Sequence, residues 1–238
     1  MINGYSAQQI RAAEQPHLAA GEPLMQRAAA GLAGEIRLVL RVRASRHPES
    51  AGRVLLLVGS GDNGGDALFA GAELAAEGVR VTIVATGPGM HEAGLAAAVA
   101  AGAHVATAVP LDDFRLAALA GLAAREDVIV DGIVGTGTSP NPALRGRARE
   151  IVAAILPAAS APDGPSVVAV DIPSGIDPTD GSVPDPTVLP ADVTVTFGGV
   201  KAGLLLPPAS GLAGRVRLID IGLGPDLARL TPVVHRPE

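Results

Sequence analysis

The chain has 238 residues, a formal charge of −6 and a hydrophobic share of 48%, which together suit a water-soluble domain large enough to bury a core. The negative charge disfavours general binding to nucleic acid or to anionic membranes, and an aromatic share of 2% without Trp leaves no stacking platform for single strands. The absence of Cys excludes disulfides, a thiol nucleophile and zinc–thiolate sites, and it is compatible with the cytoplasmic location that we expect.

The first forty residues or so predict helices, with no part in a sheet. They carry no apolar targeting segment, and no apolar run in the chain approaches the roughly 20 residues that span a bilayer. Ser6 and Gln9 have the spacing of a capping box, and Gly21 and Pro23 separate a first helix from a second one.

Seven strand candidates follow, and the first five alternate with helical segments. They lie near 53–58, 79–84, 103–106, 127–131, 167–171, 192–197 and 215–220, and the helices between them near 66–77, 91–101, 113–124 and 146–156. This alternation predicts an α/β fold: a Rossmann-like, doubly wound, mainly parallel sheet in a three-layer α/β/α sandwich preceded by amino-terminal helices. We expect residues 1–238 to form a single domain and residues 225–238 to be loosely held.

A glycine-rich turn follows the first strand, in the sequence VLLLVGSGDNGGDALF. Its glycines allow a ligand to approach the backbone closely, and free amides at the start of the next helix attract phosphate. Read literally, Gly59, Gly61 and Gly64 match the GxGxxG pattern of NAD-dependent dehydrogenases. The acid expected about 20 residues later is missing, because the second strand runs into ATGPG. The dehydrogenase reading is therefore weak.

The same turn also carries oxygen-bearing side chains, Asp62, Asn63 and Asp66. Such a density of carboxylates and amides suits a hard cation or a hydroxyl-rich ligand better than it suits pyrophosphate. For any one of the three alone, a structural role is the preferred explanation: Asp62 and Asn63 as turn formers, and Asp66 as a helix cap.

Two further strand candidates end in an acid, Asp131 before GIVGTGT and Asp171 before IPSGID. In open parallel sheets the ligand crevice lies outside the carboxyl ends of the strands. Three strand ends with an acid or amide next to Gly or Ser therefore predict one shared site, with Asp171 as its catalytic candidate. The alternative is that each acid merely caps its loop.

Four motifs occur in one order along the chain: GSGDNGGDALFAG, VDGIVGTG, VVAVDIPSGIDPTDG and TVTFGGVKAGLLLPPASGLAGRVRLIDIGL. With these motifs the chain resembles the NAD(P)H-hydrate epimerases, the amino-terminal module of the YjeF type, over nearly its whole length. Two positions depart from the family pattern, Asp62 in place of the usual Asn and Ala67 in place of the usual Gly. Asp62 adds negative charge near a phosphate or ribose contact, so substrate affinity is the property we expect it to change.

The resemblance implies epimerisation of the R and S forms of hydrated NADH or NADPH at nicotinamide C6, by acid–base chemistry at Asp171. It implies a potassium ion as cofactor, held by Asn63, Asp131 and Ser174. It also implies a homodimer and a hydrate dehydratase acting beside it, with neither nucleic acid nor membrane as a partner. The substrate contacts that it implies are Asp62, Asn63, Gly64, Gly65, Asp66, Gly135, Thr136, Gly137, Thr138, Ser139, Pro140, Asn141 and Asp171.

Several alternatives stay open at this point. A non-catalytic dinucleotide-binding or scaffold module of the same fold is the stronger rival to an enzyme, because a fold does not establish an activity. Lys201 fits a substrate contact and a structural contact equally well. The basic run at Arg145, Arg147 and Arg149 favours a solvated helix face, with a phosphate contact as the alternative. The five histidines are widely spaced and favour structural or solvated roles.

Overall fold

The structure is a computed structural model that describes residues 2–106, 112–135, 137 and 141–236. The helices in these ranges are α1 (Ala7–Ala19), α2 (Leu24–Arg46), α3 (Asp62–Ala76), α4 (Glu92–Ala100), α5 (Asp113–Ala123), α6 (Gly146–Ala159) and α7 (Gly224–Leu227). The strands are β1 (Ile2–Tyr5), β2 (Arg53–Val58), β3 (Arg80–Ala85), β4 (His104–Val105), β5 (Val128–Gly132), β6 (Ser166–Val170), β7 (Val193–Phe197), β8 (Val200–Lys201), β9 (Arg215–Ile219) and β10 (Val234–Arg236).

Seven of these strands form one sheet in the order β4-β3-β2-β5-β6-β7-β9, and every neighbouring pair is parallel. Side chains alternate across it, as the pleat requires. Leu56 packs on the side of α2, α3 and α4, whereas Leu55 and Leu57 pack on the side of α5 and α6. The predicted doubly wound, three-layer α/β/α fold is therefore confirmed.

The strand order reverses between β2 and β5. From this switch point the chain builds the sheet outwards in one direction through β3 and β4, and in the other through β6, β7 and β9. The turn after β2 lies directly against the loop after β5: the Gly59 amide donates to the Gly132 carbonyl at 3.0 Å, and a Cβ on Gly59 would overlap the Ile133 carbonyl oxygen. A crevice outside these carboxyl ends is where open α/β sheets bind ligands.

The amino-terminal residues are more than helices, which corrects the prediction. Strand β1 forms a small second sheet, in the order β10-β1-β8, and β10 belongs to the segment expected to be loose. Four residues are too few to show a strand pattern, and both partners of β1 lie about 200 residues away in the sequence. The capping box is confirmed: Ser6 Oγ accepts from the Gln9 amide, and the Gln9 side chain accepts from the Ser6 amide.

Helix α3 begins at Asp62, four residues before the predicted start. Gly64 and Gly65 lower helix propensity, which placed the predicted start after them, but tertiary packing overrides this weak preference. None of the helices in the described ranges is long and apolar enough to cross a membrane.

One buried acid at the opposite end of the sheet predicts a pH effect on stability. Glu126, just before β5, is 4% exposed, and its Oε2 has no hydrogen-bond partner in the described residues. Burial raises the pKa of Glu126 from its ordinary 4.5 to about 7, with a smaller contribution from Asp127 and opposition from Arg53 and Arg80. The folded chain thus holds this proton more tightly than the unfolded chain does, so stability is lost as the pH rises between these two values.

We therefore expect Glu126→Gln to raise Tm at pH 8, where it removes a buried charge, and to change Tm little at pH 5. Thermal melts at both pH values measure this, with Glu150→Gln on the exposed surface of α6 as the matched control. An equal shift at both pH values would contradict the assignment.

Candidate functional site

A cavity of about 480 Å³ opens at the switch point, where the three acid- or amide-bearing strand ends meet. Its walls come from α1, from the start of α3, from the loop after β5 and from the region of β7 and β8. Among the predicted site residues, Asp62, Asn63, Asp66, Gly135, Gly137 and Asp171 line it. The strand ends therefore lie close together around one cavity, and the functions of their residues stay predictions.

Asp171 follows β6 directly and has an unusual backbone. Its φ is 67°, which makes it the one non-glycine residue with a positive φ in the described part of the chain. Asp tolerates this left-handed region better than most residues, yet the conformation still costs on the order of 1 kcal/mol. The Asp171 amide donates to the Val195 carbonyl at 2.7 Å, which fixes the turn against β7.

The Asp171 carboxyl is held by three donors, all on Oδ1. They are Thr196 Oγ1 at 3.0 Å, the Phe197 amide at 3.3 Å and Lys201 Nζ in a buried ion pair. Lys201 Nζ also donates to the Phe197 carbonyl at 3.0 Å. Within the described residues Oδ2 accepts no hydrogen bond, so it is the oxygen that Asp171 presents to a ligand in the cavity. An anchored Oδ1 beside an unoccupied Oδ2 is a suitable geometry for exchanging a proton with a bound molecule.

Asp66 lies in the second turn of α3 and is only 6% exposed. Its Oδ1 is buried without a hydrogen-bond partner in the described residues. Burial raises the pKa of Asp66 well above its ordinary value, and the nearby Asp171 and Asp62 carboxylates raise it further, against the opposing effect of Lys201. Asp62 is exposed at the mouth of the cavity as the first residue of α3, where the free amides and the dipole of the helix start favour an anion.

The three predicted cation ligands lie along the crevice behind this wall. Ser174 Oγ donates to Asp131 Oδ1 at 2.6 Å, and the Ser174 amide donates to Oδ2 at 2.8 Å. Burial raises the pKa of Asp131, whereas the bonds from Ser174 lower it. Asn63 Nδ2 donates to the Val170 carbonyl at 2.5 Å, and a Cβ on Gly135 would overlap the Asn63 amide oxygen. The structure thus joins Asp131 to Ser174 and places Asn63 between the end of β6 and the loop after β5.

The other predicted contacts divide into two groups. Gly64 and Gly65 are buried behind the cavity wall, and Asn141 is exposed, with its Oδ1 accepting from the Ala143 amide at 3.0 Å. The positions that fall outside the described residues are Thr136, Thr138, Ser139 and Pro140. The substrate contacts of both groups stay predictions.

Helix α1 supplies a wall that the sequence patterns did not indicate. Arg11, Glu14, Gln15 and Leu18 line the cavity, and their spacing of three, four and seven residues places them on one helical face. A mostly polar helix face is typical of a solvated surface, so the sequence contains no signal for this role.

Lys201 is the second residue whose role the structure decides. It pairs with Asp171, which confirms the structural alternative, and it also lines the cavity. A usable signal was present: Lys201 is the single Lys among 18 basic residues, and the others are all Arg. A compact ammonium fits a closed space that the planar guanidinium of Arg would overfill.

Several of the remaining polar candidates make contacts within the fold. Arg147 Nε donates to the Ala85 carbonyl at 3.0 Å, and Arg149 pairs with Asp185. His17 bridges Glu22 and Asp226, and His91 caps α4.

Known proteins provide three comparisons. The family described as YjeF-related protein N-terminus matches residues 21–203. An NAD(P)H-hydrate epimerase of Clavibacter michiganensis subsp. michiganensis is 55% identical over 235 residues, which cover 99% of this chain and 96% of that protein. The bifunctional NAD(P)H-hydrate repair enzyme Nnr of Mycobacterium tuberculosis is 43% identical over 234 residues, which cover 96% of this chain and 43% of that protein.

A crystal structure of the yeast protein YNL200c is similar in fold. The TM-score is 0.69 at 20% identity, with 85% of this chain and 83% of that chain covered. At this identity the likeness supports the architecture of the sheet and its helices.

Proposed function

Because the chain belongs to the YjeF-related protein N-terminus family, we propose that it is an NAD(P)H-hydrate epimerase, an isomerase that interconverts the R and S forms of hydrated NADH or NADPH at nicotinamide C6. The observation that carries the proposal is Asp171: a buried carboxyl at the switch point, anchored through Oδ1 and open to the cavity through Oδ2. The Clavibacter relative, with 55% identity over nearly the full length, bears the name of this activity.

The reaction needs proton exchange and no change of redox state. Protonation of the C6 hydroxyl lets it depart as water, and the lone pair of the ring nitrogen stabilises the resulting iminium. A water that adds to the other face of C6 gives the opposite epimer and releases a proton. Asp171 Oδ2 is the atom that we assign to this exchange, because general acid–base catalysis requires a carboxyl within reach of the reacting oxygen.

Direct observation of epimer interconversion tests the function. Purified R and S hydrates are incubated separately with the protein, and NMR follows the appearance of the other epimer above the rate without protein. We expect either hydrate to reach the same equilibrium mixture. Binding of the hydrates without interconversion would instead support the non-catalytic module, and oxidation or reduction of ordinary NADH or NADPH would support a dehydrogenase.

We propose a potassium ion as cofactor, held by Asn63, Asp131 and Ser174. The fit rests on oxygen donors and on charge: the Asp131 carboxyl is 1% exposed and accepts only from Ser174 and from the Ile133 amide within the described residues. A buried carboxylate without a basic side chain leaves room for a cation to balance it. When bound, the ion supplies positive charge and ties the loop after β5 to the loop after β6.

The cation predicts a specific salt effect. We expect potassium chloride to raise Tm by about 4 °C, relative to an equal concentration of tetramethylammonium chloride, when potassium exceeds its Kd tenfold. Ser174→Ala removes one of the proposed oxygen ligands of the potassium ion and should abolish this difference in Tm. Identical melting curves of the unsubstituted protein in the two salts would contradict the cation site.

Three further features belong to the proposal. A cavity of about 470 Å³ beside the edge strand β9 is lined by apolar residues such as Val216 and Leu218, which supports a homodimer through that edge. The Mycobacterium tuberculosis relative is named bifunctional and extends well beyond the matched region, which supports a dehydratase acting beside this chain. The absence of Cys supports a cytoplasmic location.

A further inference from the structure

Glu14 is a carboxyl of the cavity that the proposed chemistry has not used. It lies on α1, is only partly exposed, and forms no hydrogen bond or ion pair with any described residue. Gln15 and Leu18 flank it on the same face of the helix. An unpaired, partly buried carboxyl that faces a cavity is available to a ligand, because no neighbour in the described ranges occupies its oxygens.

Helix α1 holds this carboxyl in a defined place. The helix begins at the Ser6–Gln9 capping box, and Gln9 Nε2 donates to the Thr231 carbonyl at 2.8 Å. Near its end, His17 lies 2.7 Å from a Glu22 oxygen and 3.0 Å from an Asp226 oxygen. With both ends fixed and Ile10 and Ala13 buried beneath it, α1 presents Glu14 to the cavity from a different element than the sheet edge that presents Asp171.

The excess of acidic side chains around the cavity favours binding of a proton by its carboxyls. Its acids outnumber its bases, and the titratable groups that face Glu14 from the surrounding elements are Arg11, Asp62, Asp66, Asp171 and Lys201. Lys201 is committed to Asp171 by the buried ion pair. When carboxyls crowd into a poorly solvated space, each disfavours ionisation of the others, and the pKa values of both Asp66 and Glu14 are raised here.

We propose that Glu14 is a second catalytic acid–base residue, which exchanges a proton with the C6 hydroxyl on the ring face turned to α1 while Asp171 serves the other face. This inference rests on the proposed epimerase function and adds a residue to it. The stereochemistry favours a second residue, since oxygen departs from one face of C6 and arrives on the other, and a fixed carboxyl lies closer to one of them.

The steps balance in atoms and electrons. The Glu14 carboxylic acid gives its proton to the hydroxyl oxygen of one epimer; the C6–O bond breaks with its electron pair on oxygen, and water leaves. The ring nitrogen shares its lone pair with C6. A water molecule attacks C6 from the opposite face, a new C6–O bond forms, and the Asp171 carboxylate takes the surplus proton. The reverse reaction uses the same two residues in exchanged roles, and proton transfer through water restores the starting state.

The protonation state of Glu14 agrees with the geometry. Burial raises the pKa of Glu14, and the Asp171 and Asp62 carboxylates raise it further, whereas Lys201 and Arg11 lower it. A raised pKa favours the protonated form of Glu14, which suits this residue to give a proton.

Glu14→Gln tests the inference in the full chain, by NMR with purified R and S hydrates of NADH as substrates. We expect kcat to fall about 100-fold in both directions, with KM little changed, because the amide fills the same space and cannot exchange the proton. We also expect the pH profile of kcat to lose the limb that belongs to Glu14. Glu14→Asp keeps a carboxyl and should recover part of the rate and that limb. The matched control is Glu150→Gln, outside the cavity, which should leave kcat unchanged.

The possible outcomes distinguish the role of Glu14 from the proposed epimerase function. A folded Glu14→Gln variant with normal kcat, while Asp171→Asn is inactive, overturns the role of Glu14 and leaves the epimerase intact. A rise in KM alone, with kcat and its pH profile unchanged, also overturns it, because it makes Glu14 a binding residue. Failure of the unsubstituted protein to interconvert the hydrates overturns both. If Glu14→Gln does not fold, Glu14→Ala takes its place, and an unaltered kcat and pH profile in Glu14→Ala decides against the proposal.

Discussion

Asp171→Asn is expected to lower the epimerase kcat by about 100-fold or more while the chain remains folded. Asn is among the few residues that tolerate the φ of 67° at this position, and its side-chain oxygen still accepts from Thr196 and the Phe197 amide. The group that faces the cavity becomes an amide, which cannot take and return a proton. The measurement is kcat for each hydrate by NMR, with circular dichroism to establish the fold.

The substitution also removes the countercharge of Lys201, and a double variant controls for this. Asp171→Asn combined with Lys201→Met leaves neither member of the ion pair charged without its partner, so it should recover stability without recovering activity. A folded Asp171→Asn variant that turns over at nearly the normal rate would exclude Asp171 as the acid–base residue.

Lys201→Met alone is expected to destabilise the fold by about 3–5 kcal/mol. Lys201 and Asp171 are 2% and 5% exposed, so the substitution leaves a buried carboxylate whose remaining donors are neutral. For a chain of this size the loss corresponds to a fall in Tm of about 10 °C or more. Urea unfolding of both single variants and the double variant gives the coupling energy of the pair directly.

The double variant should be more stable than Lys201→Met, since it removes the unpaired charge together with its partner. Lys201→Arg is an informative companion, because it keeps the charge but places a larger, planar group in the same closed space. An unchanged urea midpoint for Lys201→Met would show that the ion pair contributes nothing to stability. Strictly additive effects of the two substitutions would show that the residues do not interact.

The main sheet was predictable because its signals are local. Most strands are short apolar runs, the connections among β2, β3, β4, β5 and β6 carry helices, and parallel strands bring their carboxyl ends to one edge whatever their order. This logic predicts from the sequence alone that Asp131 and Asp171 lie at the same edge of the sheet. The start of α3 was predicted less well, because glycine propensity is weak beside packing.

The features that the sequence did not predict depend on contacts between residues far apart in the chain. Whether Lys201 points to solvent or to Asp171 depends on how β7 and β8 turn beside β6, which no local pattern encodes. The positive φ of Asp171 is likewise imposed by its surroundings. Glu14 reaches the cavity only because α1 docks on residues more than 200 positions away in the sequence. A polar helix face contains no sequence signal that identifies such a partner.

The docking of α1 bears on the order in which the parts of the cavity form during folding. The contacts of the switch point join segments about 107 residues apart, as between Asn63 and Val170. Helix α1 is fastened by Thr231 and Asp226, so closing it spans nearly the whole length of the sequence. Contacts of such separation form late, because the entropy of a very long loop must be overcome first. In a chain whose sheet is complete before α1 docks, the start of α3 and Asp171 are already in place, and the docking of α1 adds Glu14. We therefore expect such a chain to bind a dinucleotide before it can convert one epimer to the other.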